Sequence, residues 1–443
     1  MRKQMLSILS GKARFDLLRE ENRRYRTTQD RLDIEKFQTE RFNKIWTYCI
    51  REVPFYSFWQ DTHGLPDKLS SIHELEFFPP LTKTDLRKHK DLVALTKGIV
   101  DYYTTGGSSG EPIRIPRGAG EADRIYAGIF AGRGWNGIEP GDTYVHIWGH
   151  AHLLGKGRRA LLAKFSRDVK DWVAGGTRLN AYVQDVNVAV EYLEIIARKR
   201  PKYLIGYTSS LVWLADSARK LGIDNSAFPG IEAAIVTGES VTDRDIEVIE
   251  SVLARHVIIE YGAAETGVIA YSRGSDSQLH VLWQNNVVTA DSASEAQVTT
   301  IYPRIFPVIK YRLGDVLDTL GTDKNLLQIE GVAGREGDVL ELANVDGGVA
   351  RLQVRVFRQI LLRVPEVLQV QFVVEPRGGL RVLLRTTSPV DLESIRSYTL
   401  SELQKVAGSI DGSAIILEYS DKIFKTLAGK FSAIVSYEEW SRG

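Results

Sequence analysis

The 443-residue chain has a single cysteine, almost no net charge and no long apolar run. With Cys49 alone, no disulfide can form within the chain, and a cysteine-based zinc site lacks ligands. Cys49 lies in RFNKIWTYCIREV, where Phe42, Ile45, Trp46, Cys49 and Ile50 recur at helical spacing. It therefore reads as a core residue and not as a nucleophile. No segment approaches the roughly 20 apolar residues of a membrane helix, so no membrane insertion is expected. The start, MRKQMLSILSGKARFDLLREENRRYR, is basic at first but regains charge at once. That makes a poor signal peptide, and a cytoplasmic location is the expectation. A net charge of +1 gives no support for a nucleic-acid or membrane-surface binder, so any positive patch must be local. There is no internal repeat and no low-complexity linker.

What is present is enough apolar surface for a core, 43% of residues, in a chain too long for one ordinary core. Two or more domains are expected. Residues 1 to about 50 read as charged amphipathic helix. In EVPFYSFW, Pro54 marks an extended break. In LTKTDLRKHK, Thr82 and Asp85 have capping-box spacing. From about 185 to 270, strand-like segments (KYLIGY, IEAAIVTGES, HVIIEYGAAETG) alternate with helix-like ones. The helix TSSLVWLADSARKLG should close at Gly222, with Thr208 or Ser209 as its cap. This alternation argues for a parallel sheet with functional loops at the strand ends. After about residue 335 the pattern changes. VLQVQFVVE and LRVLLRTT pair around PRGG, a helix follows at DLESIRSYTLSELQKVAG, and a strand at SAIILEYS. That is a small α+β unit of about 100 residues.

Five loops can carry chemistry. YYTTGGSSGEPIR, Tyr102–Arg114, offers backbone N–H groups and hydroxyls to an anion. It matches neither G-x-x-x-x-G-K-[ST] nor G-x-G-x-x-G, so alone it is equally a flexible turn. In EYGAAETG, Glu260–Gly267, Tyr261 can face a base and Glu265 can ligate Mg²⁺, or the segment is a plain strand-end turn. In YRLGDV, Asp315 can accept two sugar hydroxyls or merely bond its own turn. In GREGDVLEL, Arg335 can pair with a phosphate beside a glycine hinge. In KTLAGKF, Lys430 can act as a mobile point charge or be simply solvated.

Together and in this order, the five resemble the motifs of the adenylate-forming superfamily of acyl-CoA synthetases, luciferases and peptide-synthetase adenylation domains. The short branch of phenylacetate–CoA ligases and CapK-like proteins is most similar. TTGGSSGEP resembles the phosphate loop, EYGAAETG the Y-G-x-T-E motif, YRLGD the Y-R-T-G-D motif, GREGD the G-R-x-D-D hinge and KTLAGK the terminal K-T-x-x-G-K. EVPFYSFW, FFPPLTKTDLRKH and TGESVT are also similar to short-branch stretches, and the resemblance spans about residues 50 to 435.

The resemblance implies an α/β fold, with a large N-terminal domain (1–334) binding nucleotide and acyl substrate. A small mobile C-terminal α+β domain (335–443) would carry the catalytic lysine. It implies an ATP-dependent, AMP-forming ligase that activates a small carboxylic acid and passes it to CoA by default, or to an amine. A protein that binds nucleotide without turnover is the alternative from another class. Thr104, Thr105, Gly106, Gly107, Ser108, Ser109 and Gly110 would hold the ATP phosphates. Thr237–Ser240, with Gly238 and Glu239, would pack against adenine, together with Glu260, Tyr261 and Gly262. Asp315 would take the ribose hydroxyls, Arg335 would approach ribose or phosphate, Glu265 would bind Mg²⁺ and Lys430 would act in adenylation. His146, Trp148, His150, Tyr207 and Ala263 are acyl-pocket candidates, although His146–His150 reads equally as a plain strand. Lys156, Arg158, Arg159 and Lys164 form a basic stretch that suits a CoA phosphate or a solvated face. A homodimer is allowed and not specified. Two departures stand out. Ile113 follows Pro112 where many family loops have lysine, and Gly337 stands where the hinge often has aspartate, with Asp338 next.

Overall fold

The computed structural model describes residues 12–104, 113–149, 171–181, 185–274, 276–319, 325–335, 338–376, 379–408, 410–422, 424–425 and 431–442. Among the described residues, the charged N-terminal region is helical as expected, divided into Lys12–Thr27 and Arg31–Glu52. The break is chemical: the Asp30 carboxylate accepts from the N–H groups of Leu32 and Asp33 and starts the second helix. That helix buries Ile34, Gln38, Phe42, Ile45, Trp46 and Cys49. Burial pushes the Cys49 thiol well above its ordinary range, as a core residue requires. The extended break expected at Pro54 is confined to Val53, with φ −116° and ψ 102°. Pro54 itself opens the helix Pro54–His63, because a fixed φ and a missing N–H cost nothing in the first turn. The capping box is present: Thr82 Oγ1 accepts from Asp85 N at 3.2 Å, and Asp85 Oδ2 from Thr82 N at 2.9 Å.

Strands β1 (Asp101–Thr104) and β2 (Arg114–Arg117) form an antiparallel hairpin. There follow β3 (Tyr144–Trp148), β4 (Gly176–Asn180), β5 (Tyr203–Tyr207), β6 (Ala233–Thr237), β7 (His256–Ala263), β8 (Gly267–Arg273) and β9 (Asp276–Val281). Next come β10 (Asn286–Ala290), β11 (Glu295–Thr300), β12 (Tyr311–Asp318), β13 (Gln328–Ile329) and β14 (Gly331–Arg335). An eight-stranded sheet has the order β13-β9-β8-β7-β6-β5-β3-β4. Its β4, β3, β5, β6 and β7 are parallel, as the alternating pattern predicts; β8, β9 and β13 add on antiparallel.

The helices Val186–Lys199, Thr208–Lys220 and Asp243–Glu250 contribute to one apolar cluster with β3, β5, β6 and β7. A second cluster, with Tyr203, Ile235, Ile258 and Tyr271, packs toward Phe130 of helix Glu121–Gly134. Strands β5 and β6 are therefore buried throughout. The chain runs from β3 out to β4 and then back across to β5, so the direction of winding reverses between β3 and β5. In open α/β sheets that is where ligand crevices form.

A four-stranded antiparallel sheet, β10-β11-β12-β14, adjoins this core. Beyond it lie the hairpin β15 (Val339–Ala343) and β16 (Val349–Gln353), then β17 (Val367–Val374), β18 (Leu380–Thr386), β19 (Ile415–Tyr419) and β20 (Ile434–Ser436). The last four form the sheet β19-β18-β17-β20, backed by helices Val354–Leu362 and Leu392–Ala407 around their own apolar cluster. The strand pair around PRGG, the helix and the following strand appear as the pattern predicts, while β15, β16 and Val354–Leu362 are additions. Among the described residues, no helix is long and apolar enough to cross a membrane.

Helix Glu121–Gly134 meets the sheet through Gly132, where an added Cβ would lie 2.1 Å from Tyr271 Cδ2. The Tyr271 ring cannot retreat easily: it is fully buried, and its hydroxyl donates to Glu260 Oε2 at 2.6 Å. Gly132→Ala should lower unfolding stability by about 1–3 kcal/mol, read from urea denaturation. An unchanged midpoint would show that this contact is soft.

Candidate functional site

The hairpin β1–β2 ends at Thr104, paired with Arg114, and Thr104 is exposed at its tip. Thr105–Pro112, which include Gly106, Gly107, Ser108, Ser109 and Gly110, lie outside the described residues, as do His150, Gly337 and Lys430. The stem is fixed by a buried cluster. Arg304 Nε stands 3.5 Å from Glu121 Oε2, and both side chains are almost fully buried. Glu121 Oε1 accepts from Gly118 N at 2.7 Å and Ile305 N at 3.0 Å, and Tyr103 donates to Oε2 at 3.3 Å. The Arg304 guanidinium lies 4.9 Å from the Tyr103 ring centroid and donates to Glu265 O at 2.5 Å. One arginine thus joins the hairpin stem to the turn that carries Glu265.

That turn links β7 to β8. Gly262 is required there: an added Cβ would meet Gly267 O at 2.7 Å across the turn. Ala263 pairs with Gly267 at its base. Glu265 is 5% exposed, accepts from the Tyr311 hydroxyl at 3.2 Å and has Lys83 Nζ at 3.8 Å. Among the described residues no cluster of three His, Cys, Asp or Glu side chains exists. A lone carboxylate suits Mg²⁺, which keeps its waters and substrate phosphates instead of entering a protein cage.

Tyr261, Asp315 and Arg335 come together. The Tyr261 hydroxyl donates to Asp315 Oδ2 at 3.0 Å, and Arg335 Nε lies 3.7 Å from Asp315 Oδ1. The pairing of β12 with β14 places Asp315 opposite Arg335. Burial, with the Asp315 charge beside it, holds the Tyr261 hydroxyl well above its ordinary pKa, so it stays a donor. Glu260 is not part of this group. Successive strand residues face opposite ways, and Glu260 accepts from Arg133 Nη2 at 2.9 Å and Tyr271 on the other face.

A second group gathers at the C-terminal ends of β3, β5 and β6. The rings of Trp148 and Tyr207 lie 4.2 Å apart, with His146 5.1 Å from Trp148 on the same strand. This is the point where the winding reverses. Gly238, at φ +77°, turns the chain after β6 and directs Glu239 inward. Glu239 accepts from Ser209 N at 2.8 Å and Ser209 Oγ at 3.1 Å. Helix Thr208–Lys220 is therefore capped by a distant carboxylate and not by its own Thr208 or Ser209 side chain. Glu239 also accepts from the backbone N–H of Phe431, and Lys425 Nζ donates to Ala181 O. Burial lowers the Lys425 pKa to about 8 and raises that of Glu239. Further contacts between the last sheets and the large one are Arg358 Nη1 to Ser240 Oγ at 2.9 Å and Arg385 Nη2 to Asp216 Oδ2 at 3.4 Å.

Arg304 and Glu121 lie outside the quoted motifs, and sequence reasoning missed them. Tyr103, Lys83, Tyr311 and Lys425 lie inside quoted motifs, which give them no separate role. The Arg304–Glu121 pair yields a test. Arg304→Met should cost about 3–5 kcal/mol of stability, because it leaves a buried carboxylate uncompensated. Adding Glu121→Gln should cost less than the two single losses summed. Strict additivity in urea denaturation would show that the pair is not coupled.

No family model matches the chain. Protein CapK of Staphylococcus aureus is 22% identical over 412 residues, covering 90% of this chain and 88% of that protein. Among solved structures, 2-hydroxyisobutyryl-CoA ligase in the postadenylation state with 2-HIB-AMP superposes with a TM-score of 0.70 at 18% identity, covering 94% of this chain and 92% of that one. The same ligase with 2-HIB-AMP and CoA, in the thioesterification state, gives 0.56 at 19% identity, covering 92% and 91%. Over nearly its whole length, this chain has the fold of an adenylate-forming CoA ligase.

Proposed function

We propose that the chain is an ATP-dependent, AMP-forming ligase that activates a small carboxylic acid and transfers the acyl group to a thiol or an amine. CoA is the default acceptor. The observation that carries this is the convergence of Tyr261, Asp315 and Arg335 beside Glu265 and the hairpin stem, all joined through Arg304 and β12. The bound 2-HIB-AMP and CoA of the structural neighbour support the same chemistry.

In the first step, a carboxylate oxygen attacks the α-phosphorus of ATP and pyrophosphate leaves, giving an acyl-adenylate. In the second, the acceptor attacks the acyl carbon and AMP leaves. Two anions must meet in the first step, so cationic groups and oriented donors have to offset their repulsion. Asp315 takes the ribose hydroxyls, and Tyr261 both holds Asp315 and lines the adenine pocket. Arg335 approaches the ribose or the phosphate. Lys430, whose neighbour Phe431 is held by Glu239, reaches the reacting carboxylate and α-phosphate. Glu265 would hold Mg²⁺, which when bound neutralises phosphate charge. His146, Trp148 and Tyr207 line the acyl pocket at the switch point, and Ala263 lines it from the base of the turn after β7. The residues from 335 onward act as a separate small domain that moves between the two half-reactions.

An acid-dependent ATP–pyrophosphate exchange screen tests the reading. Exchange should appear with at least one carboxylate, and AMP release on adding CoA or an amine identifies the acceptor. ATP binding with silence across a broad acid panel would overturn the ligase and favour a nucleotide-binding protein without turnover. Lys430→Ala should abolish exchange while leaving the thermal transition unchanged. Asp315→Ala should raise the KM for ATP roughly tenfold or more, through loss of charge-assisted hydrogen bonds. An unaltered KM would remove Asp315 from the ribose site.

A further inference from the structure

A polar cavity lies between helices Lys12–Thr27, Arg31–Glu52 and Glu121–Gly134 and the segment joining β9 to β10. None of its lining residues belongs to the site described above. Its volume is about 110 Å³, room for a small ion or a few waters. Each helix brings one arginine to it: Arg24, Arg41 and Arg124. The guanidiniums of Arg24 and Arg41 lie 4.5 and 5.8 Å from the centroid of one ring, Phe37, which restricts their directions. Arg24 Nη2 donates to Glu20 Oε1 at 2.8 Å. Arg41 uses only Nε, on Ile301 O at 3.0 Å. Among the described residues no hydrogen bond or ion pair takes up Arg124. Burial, with Arg124 and Arg24 beside it, pulls Arg41 below its ordinary pKa. Three cations thus crowd one cavity with their repulsion incompletely offset.

Glu21 lines the same cavity and does not neutralise them. Its Oε2 is buried and has no hydrogen-bond partner among the described residues, and no ion pair joins it to Arg41 or Arg124. Burial raises its carboxyl to about 7, while the Asn285 amide, Arg124 and Arg41 act in the opposite sense and Glu20 adds to the rise. Helix Glu121–Gly134 leaves the space open through Gly128, where an added Cβ would lie 2.5 Å from Asn285 Nδ2 and 3.8 Å from Glu21 Oε2. A network that merely joined three helices would close Glu21 onto an arginine, as Glu121 closes onto Arg304. Water alone would satisfy Glu21 and leave the arginines repelling one another. The open groups therefore describe a ligand: negatively charged acceptor oxygens for the guanidiniums, and one acidic proton for Glu21 Oε2. Hydrogenphosphate has both. Sulfate has the same shape and charge and lacks the proton.

We infer that this cavity is a binding site for inorganic phosphate, separate from the proposed nucleotide site: the phosphate oxygens accept from Arg24, Arg41 and Arg124, and its P–OH donates to Glu21. The arginine contacts are charge-assisted, which is where guanidinium groups bind oxyanions best. Arg124 lies one turn after Glu121, so the ion braces the same helix that the Arg304 pair holds at its start. The inference does not depend on the proposed reaction.

Calorimetry on the unaltered protein tests it, with saturating α,β-methylene-ATP present to fill a nucleotide site. At about pH 8 Glu21 is ionised, so phosphate should bind and sulfate, with no proton to give, should bind at least roughly tenfold more weakly. Near about pH 6 Glu21 carries the proton itself, and the gap should narrow. Arg124→Met should weaken phosphate binding roughly tenfold or more, with binding of the ATP analogue unchanged. Glu21→Gln, whose amide can donate to either oxyanion, should admit sulfate as well as phosphate. The comparison of phosphate with sulfate needs no variant and stands if Arg124→Met fails to fold. Absence of phosphate binding, equal affinities for the two ions at about pH 8, full phosphate affinity in Arg124→Met, or continued exclusion of sulfate by Glu21→Gln would reduce the cavity to helix packing and overturn the inference.

Discussion

The buried guanidinium of Arg304 is the constraint on which the site depends. It faces the Glu121 carboxylate, lies over Tyr103 and donates to the carbonyl of Glu265. A charged pair this deep is a poor source of net stability, since desolvation offsets most of the Coulomb attraction. What it supplies is position. The hairpin stem, the start of helix Glu121–Gly134, the segment at Ile305 and the Glu265 turn are separate in sequence and share one charge. Shifting any of them leaves a buried polar group unpaired.

Strand β12 provides the second fixed element. Tyr311 holds Glu265 through its hydroxyl and Leu81 through its backbone, and four residues later Asp315 faces Tyr261 and Arg335. Rigid strands hold such groups better than loops do, and reaction geometry tolerates little error. Opposite this edge, the Glu239 carboxylate ties the start of helix Thr208–Lys220 to Phe431. The last sheet is thereby docked through hydrogen bonds, and Leu368 of β17 joins the apolar cluster of the large sheet.

The short-range features were legible. Apolar runs alternating with helical periodicity predict the parallel strands, and the Thr82–Asp85 spacing predicts a capping box that forms. Cys49 belongs to a buried helical face. These depend on neighbours a few residues away, and sequence spacing encodes such relations directly. The same locality misleads at Pro54 and at the cap of helix Thr208–Lys220. A proline is compatible with both an extended break and a first helical turn, and a helix accepts a cap from any carboxylate that reaches it.

Turns, caps and alternation are local backbone chemistry, so the strand and helix order over 185–270 and the motifs at the strand ends can be read from the chain alone. What each charged side chain faces depends on the folded arrangement. It sends Glu260 to Arg133, Glu239 to Ser209 and Phe431, Glu121 to Ile305 across 184 residues, and Lys83 to Glu265. Those pairings follow from strand register and from the need to compensate buried charge, and both are set by the folded chain as a whole.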